Sequence, residues 1–276
     1  MNLSMELMAL EVSDQEMLLF QQFFKDRIGL YLPFSKKALL CSRLVGRLVE
    51  LGLVSLQQYH ALICLPHQEH ERQRAIDLIT TNETYFFREP KHFEWLRDEF
   101  LPAMASVDDV RIWSAASSTG EEAYSMAMLL DDHRHHRPWR IYASDISQRV
   151  LSFGRRALYP MARGEHIPQT FLSRYCLCGI GQYEGHFLIE QRLRKRVEFA
   201  QCNLVDLPVH LYHQFDLVFL RNTIIYFDFP TKVAVLQSVI SKIKPGGWLV
   251  VGHSESLHGM PLGLEMIAPS IYRRPS

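Results

Sequence analysis

Apolar residues in the first hundred positions recur at intervals of three and four, the spacing of an amphipathic helix. The first predicted helix begins at SDQE at 13–16, which has the form of a capping box. A second helix is predicted after Ser35 and ends at Gly52. Shorter helices are predicted near 55–65, 70–80 and 90–100, the last opening with Pro90 in its first turn. Because no segment here alternates like a strand, this region is predicted to be all-helical.

After LPAMASVDD at 101–109, short runs of β-branched and aromatic residues alternate with helical segments. This alternation is typical of a mostly parallel sheet covered by helices. KPGG at 244–247 predicts a turn between the last helix and the last strand, and residues 159–196 interrupt the rhythm as a small hairpin insertion. The predicted strands are 110–115, 139–144, 197–201, 215–220 and 247–252.

Length and composition restrict the class of protein. The chain has 276 residues, enough for one large or two modest domains, and 47% of them are apolar. Lys+Arg and Asp+Glu both number 30, so the overall charge does not indicate binding to nucleic acid or to an anionic membrane. No apolar run is long enough for a membrane span and no signal peptide is recognisable, so a cytoplasmic protein without membrane insertion is predicted. Five irregularly spaced cysteines fit reduced thiols, and no metal site is predicted.

Polar residues follow the predicted strands, where ligands bind in open α/β sheets. ASSTGEE at 116–122 follows the first strand, and Asp145 follows the second at the place of a ribose-binding acid. The G-x-G-x-x-G pattern is absent, and Glu121 and Glu122 would repel a pyrophosphate. A cationic ligand with a ribose and no phosphate, such as S-adenosylmethionine, fits better. Helix-dipole pairing of the two glutamates and an N-cap role of Asp145 remain alternatives.

Two later strands also end in polar residues. Asn203 follows the third strand and could hydrogen-bond a base edge, and the fourth strand runs into RNTIIYFD at 221–228. Each polar residue alone is explained as a cap or a satisfied loop group. Their recurrence at successive strand ends favours a shared ligand site.

Five motifs in order give the chain its resemblance to a known family. They are TTNETYFFR at 80–88, WSAASSTGEEAYS at 113–125, YASDI at 142–146, RNTIIYFD at 221–228 and KPGGWLVVGHSES at 244–256. The chain resembles the chemotaxis receptor methyltransferases, bacterial enzymes that convert receptor glutamates to methyl esters with S-adenosylmethionine in sensory adaptation. The resemblance implies an α/β protein: an N-terminal all-helical domain with linker (1–100), then a Rossmann-like class I S-adenosylmethionine-dependent methyltransferase domain (101–276) with a small inserted β-subdomain (159–196).

The resemblance also implies the residues that hold the cofactor and its product, S-adenosylhomocysteine, without a metal. TTNETYFFR would lay its polar side chains over the cofactor while its rings close the pocket and Arg88 faces the reaction. In the alternative, Phe86 and Phe87 belong to the core and Arg88 forms a surface ion pair. Ala115, Ala116, Ser117, Ala123 and Thr223 depart mildly from the family pattern. The implied cofactor-binding residues are Asn82, Thr84, Arg88, Glu122, Asp145, Asn203, Leu204, Leu220 and Arg221.

The expected chemistry needs no general base, because a sulfonium methyl is activated and a glutamate with a pKa near ~4.3 is ionised at neutral pH. Catalysis would come from aligning the carboxylate with the methyl and replacing its water shell with fixed donors. Arg88 can donate two hydrogen bonds to a carboxylate, and Tyr226 can donate one. Both are expected to orient the substrate.

The expected partners are the cytoplasmic helices of methyl-accepting chemoreceptors. In the related family the helical domain docks on acidic receptor helices, and a local basic face fits that role, although a solvated helix face is the alternative. The basic residues are Lys36, Lys37, Arg43 and Arg47. Some relatives capture a receptor's C-terminal peptide on the β-subdomain by strand addition, which GIGQYEG at 179–185 permits without establishing.

Two other functions compete with this interpretation. One is methylation of another acceptor, such as a small acid or a nucleic-acid base; RNTIIYFD differs from the Asn/Asp-Pro-Pro-aromatic motif of amino-methylating DNA enzymes. The other is a regulatory module that binds the cofactor or its product without turnover. Retention of both Arg88 and Tyr226 argues against that module.

Overall fold

The computed structural model describes residues 11–134, 137–208, 211 and 214–276. Its contacts divide the chain into two compact units: unit 1 is Met1–Thr81 with Tyr226–Thr231, and unit 2 is Asn82–Ile225 with Lys232–Ser276. The sequence placed the boundary after residue 100, whereas the units divide between Thr81 and Asn82. The difference arises because Phe93, Leu96 and Phe100 are buried in the hydrophobic core of unit 2.

Four helices form the described part of unit 1. The predicted capping box is confirmed: the Ser13 Oγ accepts from the Glu16 amide at 3.2 Å, and the Glu16 carboxylate accepts from the Ser13 amide at 3.0 Å. Gly52 ends the second helix in the left-handed conformation, as predicted. That helix begins two residues after Ser35, which lies in a 3-10 turn. The helices are α1 (Asp14–Ile28), α2 (Lys37–Leu51), α3 (Leu56–Cys64) and α4 (Glu69–Ile79).

A distant segment, Tyr226–Thr231, completes unit 1. The Tyr31 amide donates to the Tyr226 carbonyl at 2.9 Å, and Leu30 forms an isolated bridge with Phe227. The Lys25 ammonium lies 2.8 Å from the Asp228 carboxylate. The RNTIIYFD motif is therefore divided between the two units after Ile225.

A seven-stranded sheet forms the centre of unit 2, with strand order β6-β2-β1-β7-β8-β10-β9. The first five strands in this order are parallel, and β10 is antiparallel to both β8 and β9. All five predicted strands are present, and β9 and β10 were not predicted. The strands are β1 (Val110–Ala115), β2 (Trp139–Asp145), β6 (Val197–Gln201), β7 (Phe215–Leu220), β8 (Ile243–Val251), β9 (Glu265–Ala268) and β10 (Ile271–Arg273).

The predicted turn KPGG lies inside β8 rather than before it. Phe215 pairs with Ile243 and Leu217 pairs with Trp248, so the register shifts between them. Gly246 adopts a φ of 74°. An irregularity in the strand accommodates these residues while the pairing with β7 resumes beyond them.

Of the remaining helices, two precede the first strand and the others lie between strands. Pro90 occupies the first turn of α5, as predicted, and a π-helical turn at Leu96–Phe100 continues that helix. The helices are α5 (Pro90–Trp95), α6 (Leu101–Ala103), α7 (Glu121–Arg134), α8 (Gln148–Arg156), α9 (Gln169–Tyr175), α10 (Gln191–Arg194) and α11 (Phe229–Ser241).

The insertion at 159–196 carries most of a second, three-stranded antiparallel sheet with the order β3-β5-β4. Its strands are β3 (Leu158–Pro160), β4 (Cys176–Cys178) and β5 (His186–Ile189). The rings of Tyr159 and Phe187 stack with centroids 5.6 Å apart and join this sheet to the core of unit 2. Across the described parts of the chain, every helix is too short or too polar to cross a bilayer.

Candidate active site

The loop after β1 forms a tight turn directed by three residues with positive φ. Ala116, Ser118 and Gly120 have φ values of 62°, 49° and 95°. A Cβ on Gly120 would lie 2.9 Å from the Phe199 ring and 3.1 Å from the Tyr159 hydroxyl, so only glycine fits. The backbone of this loop thereby lies close to the Phe199 ring of β6 and to Tyr159.

Asp145, at the end of β2, holds that loop from the other side. Its side chain accepts from the amides of Ser118 and Ser147, both at 2.9 Å, and the residue is 6% exposed. The N-cap of α8 is Ser147, so the N-cap alternative for Asp145 is not what the structure shows. Asp145 thus joins the loop after β1 to the start of α8.

The two glutamates that open α7 differ in their surroundings. The Glu121 carboxylate is fully buried and accepts from Thr119 Oγ1 at 2.6 Å and from Arg163. The Glu122 side chain is 13% exposed and accepts from Ser114 Oγ at 2.6 Å and Arg221 Nη1 at 3.1 Å. Glu121 therefore connects the loop to the β-subdomain, whereas Glu122 belongs to a charge network at the strand ends.

Arg221 follows β7 and balances the charge of Glu122. Its side chain is 2% exposed, and burial of both groups requires that they be paired. Burial raises the pKa of the Glu122 carboxyl above its usual range, and the Arg221 guanidinium opposes that rise. A second positive group beside Glu122 would therefore be stabilised electrostatically.

Glu89 is a member of this network that the sequence interpretation missed. Its carboxylate lies 3.0 Å from Arg221 Nη2 and accepts from Asn222 Nδ2 at 3.1 Å, and its φ is 59°. Arg221 also donates to the Arg88 carbonyl. Burial acts to raise the pKa of Glu89, but Arg221 and Asn222 outweigh it and the net shift is downward. The sequence signal that could have identified Glu89 is its position directly after Arg88 of the TTNETYFFR motif.

The segment TTNETYFFR covers the loop after β1. Ser118 Oγ donates to the Asn82 carbonyl at 2.9 Å, and the Phe87 amide donates to Ser125 Oγ at 3.0 Å. Phe86 is fully buried, 5.1 Å from Tyr159 between ring centroids. For Phe86 the core alternative therefore holds, and its ring supports the segment rather than closing a pocket.

Arg88 is partly exposed at the end of this segment. Its Nη1 donates to the Glu83 carbonyl at 2.8 Å, and its guanidinium lies 5.8 Å from the centroid of the Tyr85 ring. The side chain is thus folded back over its own segment, with donors of the guanidinium left for another acceptor.

The other predicted cofactor residues also lie in unit 2. Asn203 Oδ1 accepts from the Val205 amide at 3.3 Å, Leu204 is 8% exposed, and Leu220 is fully buried at the end of β7. Thr84 is partly buried. The predicted cofactor residues are therefore placed at the ends of four strands and in the segment before α5, whereas Tyr226 belongs to unit 1.

Glu255 is a second residue that the sequence interpretation missed. Its carboxylate is buried and accepts from four backbone amides: Gly252 and Asn222 at 2.7 Å, Thr223 at 2.8 Å and Ile225 at 3.4 Å. Burial raises the pKa of this carboxyl, opposed by those amides. Glu255 fixes the loop that follows Arg221.

The predicted docking residues of α2 and the turn before it have unequal surroundings. Arg47 donates to Glu71 at 2.6 and 2.9 Å and to Glu50 at 2.7 Å, and Glu71 is 7% exposed in its side chain. Lys37 pairs with Asp14. Lys36 is exposed and Arg43 is partly buried. Arg47 therefore binds a buried carboxylate of unit 1 and is less available to a partner than the other three basic residues.

Comparison with protein families decides the family to which this chain belongs. A model described as "CheR methyltransferase, SAM binding domain" matches residues 82–272, and one described as "CheR methyltransferase, all-alpha domain" matches residues 15–80. The chain belongs to the CheR methyltransferase family. It is an S-adenosylmethionine-dependent methyltransferase, as the five motifs indicated.

Relatives extend over most of the chain. The chemotaxis protein methyltransferase of Escherichia coli (strain K12) is 36% identical over 265 residues, covering 95% of this chain and 92% of the relative. Chemotaxis protein methyltransferase 2 of Pseudomonas aeruginosa is 38% identical over 230 residues, covering 83% and 81%. The solved structure of the [4+2]-cyclase SpnF covers 81% of this chain and 61% of its own at 15% identity, with a TM-score of 0.36, too low to add to the assignment.

Proposed function

We propose that this methyltransferase transfers the methyl group of S-adenosylmethionine to glutamate carboxylates of bacterial chemoreceptors, forming methyl esters in sensory adaptation. The observation that supports this most is the 36% identity to a chemotaxis protein methyltransferase over 95% of the chain, including both domains. The cytoplasm, where the receptor's methylated helices lie in the family, is the proposed place of action.

The strand ends suit the cofactor. Glu122 is mostly buried with an elevated pKa, and the ammonium group of S-adenosylmethionine would favour its ionised form. Asp145 would accept from the ribose hydroxyls, Asn203 and Leu204 would contact the adenine, and Asn82 and Thr84 would line the remaining surface. Leu220, which is fully buried, would lie beneath that surface. Arg221 would keep Glu122 in place. When bound, S-adenosylmethionine supplies the activated methyl group.

Arg88 and Tyr226 are the proposed orienting residues. A glutamate carboxylate is ionised at neutral pH, so the protein has to position it rather than deprotonate it. The guanidinium of Arg88, in unit 2, can donate to both oxygens of a carboxylate, and the Tyr226 hydroxyl, in unit 1, can donate one hydrogen bond. The value of Arg88 lies in fixing the line of attack, because an overly stable ion pair would reduce nucleophilicity.

Methyl transfer to receptor-bearing membranes tests the proposal. Labelled methyl from S-adenosylmethionine is expected on receptor bands, and mild alkali is expected to release it as methanol, the behaviour of a methyl ester. Alkali-stable label would indicate another acceptor group. Absence of label with intact binding of S-adenosylhomocysteine would favour the regulatory module.

Arg88→Ala is the matching substitution. It should lower kcat by about 100-fold or more, the scale seen when a transition-state donor is removed, while the affinity for S-adenosylhomocysteine is largely retained. Arg97→Ala is a matched control, because Arg97 is 49% exposed and pairs with its neighbour Asp98. Near-normal transfer by Arg88→Ala would remove this residue from the reaction.

The proposed receptor contacts involve both the helical domain and the β-subdomain. Lys36, Lys37 and Arg43 would contact acidic receptor helices. Arg47 would stabilise α2 through its ion pair with Glu71. Among the described residues, the outer strand β4 pairs on one side with β5, and its other edge is the place at which a receptor's C-terminal peptide could add a strand. No nucleic acid is expected among the partners.

A further inference from the structure

Two imidazole side chains and one carboxylate of unit 2 lie close together beside the proposed cofactor site. Glu89 and His92 lie at the start of α5, and His253 follows β8. One ligand atom from each lies within 4.8 Å of the other two. Glu89 Oε2 is 3.3 Å from His92 Nδ1 and 3.9 Å from His253 Nε2.

His92 is buried without a hydrogen-bond partner for either ring nitrogen among the described residues. It is 2% exposed, and its contacts are aromatic: the His253 ring at 4.6 Å and the Phe219 ring at 6.4 Å between centroids. The 3.3 Å approach to Glu89 does not have hydrogen-bond geometry. A buried polar atom left without a partner is unfavourable, so this ring has an unused electron pair.

The distances suit a small ion with nitrogen and oxygen ligands. Zinc bonds of about 2.0–2.1 Å in a tetrahedral site place neighbouring ligand atoms about 3.3 Å apart. The Glu89–His92 distance of 3.3 Å already matches, and the His253 distance of 3.9 Å needs a shift of about half an ångström. The His253 side chain is 48% exposed, so it can rotate and leave a coordination position open to solvent.

We propose that Glu89, His92 and His253 form a binding site for a divalent transition-metal ion of the zinc type, separate from the methyl-transfer chemistry. Calcium and magnesium prefer sites with oxygen ligands only, so two imidazole ligands favour a transition-metal ion over either of them. The exposed side of His253 provides the route of entry.

Occupancy of this site would inhibit the enzyme through Arg221. The guanidinium lies 3.0 Å from the same Glu89 oxygen, so a divalent cation competes with it for that carboxylate. Arg221 also holds Glu122 at 3.1 Å. Zinc is therefore expected to weaken cofactor binding, a consequence that rests on the proposed roles of Arg221 and Glu122.

Titration of the untagged full-length protein with zinc chloride, followed by calorimetry, tests the site. His253→Ala should weaken the strongest zinc-binding event by at least about 10-fold, since loss of even an outer-shell partner has that effect on metal sites. His258→Ala is the matched control in the same loop, because His258 is exposed and outside the cluster. Equal zinc affinity in wild type and His253→Ala would overturn the proposal.

Two further measurements test the location of the bound zinc and its effect on cofactor binding separately. Crystals soaked in zinc chloride should show an anomalous diffraction peak between the three side chains; a peak only at other histidines or at cysteines would refute the site. The affinity for S-adenosylhomocysteine should fall severalfold on adding zinc in wild type and not in His253→Ala. An unchanged affinity would refute the coupling, whereas absence of binding without zinc would refute the proposed cofactor site.

Discussion

At the scale of residues, the candidate site is a set of buried charges that depend on one another. Arg221 lies between Glu122 and Glu89, and its side chain is 2% exposed. Removing one partner from such a set leaves an uncompensated buried charge, which costs far more than losing a surface pair. The same residues that would bind the cofactor are therefore also needed for the structure of the strand ends.

Glu255→Gln is expected to destabilise unit 2 by about 1–3 kcal/mol, because an amide nitrogen would replace one acceptor oxygen and leave buried N–H groups unpaired. All four tryptophans lie in unit 2, so denaturant unfolding followed by tryptophan fluorescence reports on it. Ser256→Ala, at an exposed neighbour, is the control. A free energy of unfolding equal to wild type would show that the four amide bonds contribute little.

At the scale of elements, packing distances between helices and their neighbours decide which positions tolerate a side chain. Gly154 of α8 lies against β6: an added Cβ would be 2.6 Å from the Phe199 ring. Gly46 in the middle of α2 has no atom within 4 Å of such a Cβ. Both glycines are helical, and the sequence pattern does not distinguish them.

Substituting alanine at these two positions should have opposite effects on thermal unfolding measured by circular dichroism. Gly46→Ala is expected to stabilise the protein by about 0.5–1 kcal/mol, since alanine favours the helix. Gly154→Ala is expected to cost about 1–3 kcal/mol through overpacking. A lower melting temperature for Gly46→Ala would contradict the assignment of open space at α2.

Glu71 of α4 connects three helices, since it accepts from Arg47 of α2 and from the Tyr59 hydroxyl of α3 at 2.8 Å. Glu71→Gln should cost about 3 kcal/mol at pH 7, the lower end for breaking a buried ion pair. The Arg47 hydrogen bonds hold the pKa of Glu71 below its usual 4.5.

The pH dependence of that loss has a definite sign. Between the lowered pKa of folded Glu71 and pH 4.5, this carboxyl is ionised in the folded state but mostly protonated in the unfolded chain. The stabilisation from Glu71 is therefore complete above pH 4.5 and is lost as the pH falls through the folded pKa. The difference in free energy of unfolding between wild type and Glu71→Gln should therefore narrow below pH 4.5. Glu50→Gln, whose side chain is 56% exposed, should show little effect at any pH.

At the scale of the whole molecule, the chain contributes to unit 1 twice, through its helices and through Tyr226–Thr231. The predicted catalytic residues are thereby distributed, with Arg88 in unit 2 and Tyr226 in unit 1. The basic surface proposed to dock on receptor helices belongs to unit 1, whereas the strand edge proposed for the receptor peptide belongs to unit 2.

Charge reversal on that surface should raise the KM for receptor. The double substitution Lys36→Glu and Arg43→Glu is preferable to reversal of Arg47, which would place a carboxylate against Glu71 and damage the fold. The affinity for S-adenosylhomocysteine should not change, and Lys195→Glu on an exposed position of unit 2 is the control. Unchanged receptor kinetics would favour the solvated-face alternative.

The sequence alone was sufficient for the helices of unit 1, the five parallel strands and the family, because helix caps, periodicity and contiguous motifs are local properties of the chain. The helices α9 and α10 inside the insertion were not predicted. The pairing of Glu89 with Arg221, the four amides on Glu255 and the place of KPGG within β8 depend on residues far apart in sequence. The same applies to Arg47: its charge suggested a surface role, but its guanidinium donates to the buried Glu71 carboxylate. Local spacing determines elements and motifs, whereas tertiary packing alone decides which charges are buried and which partners neutralise them.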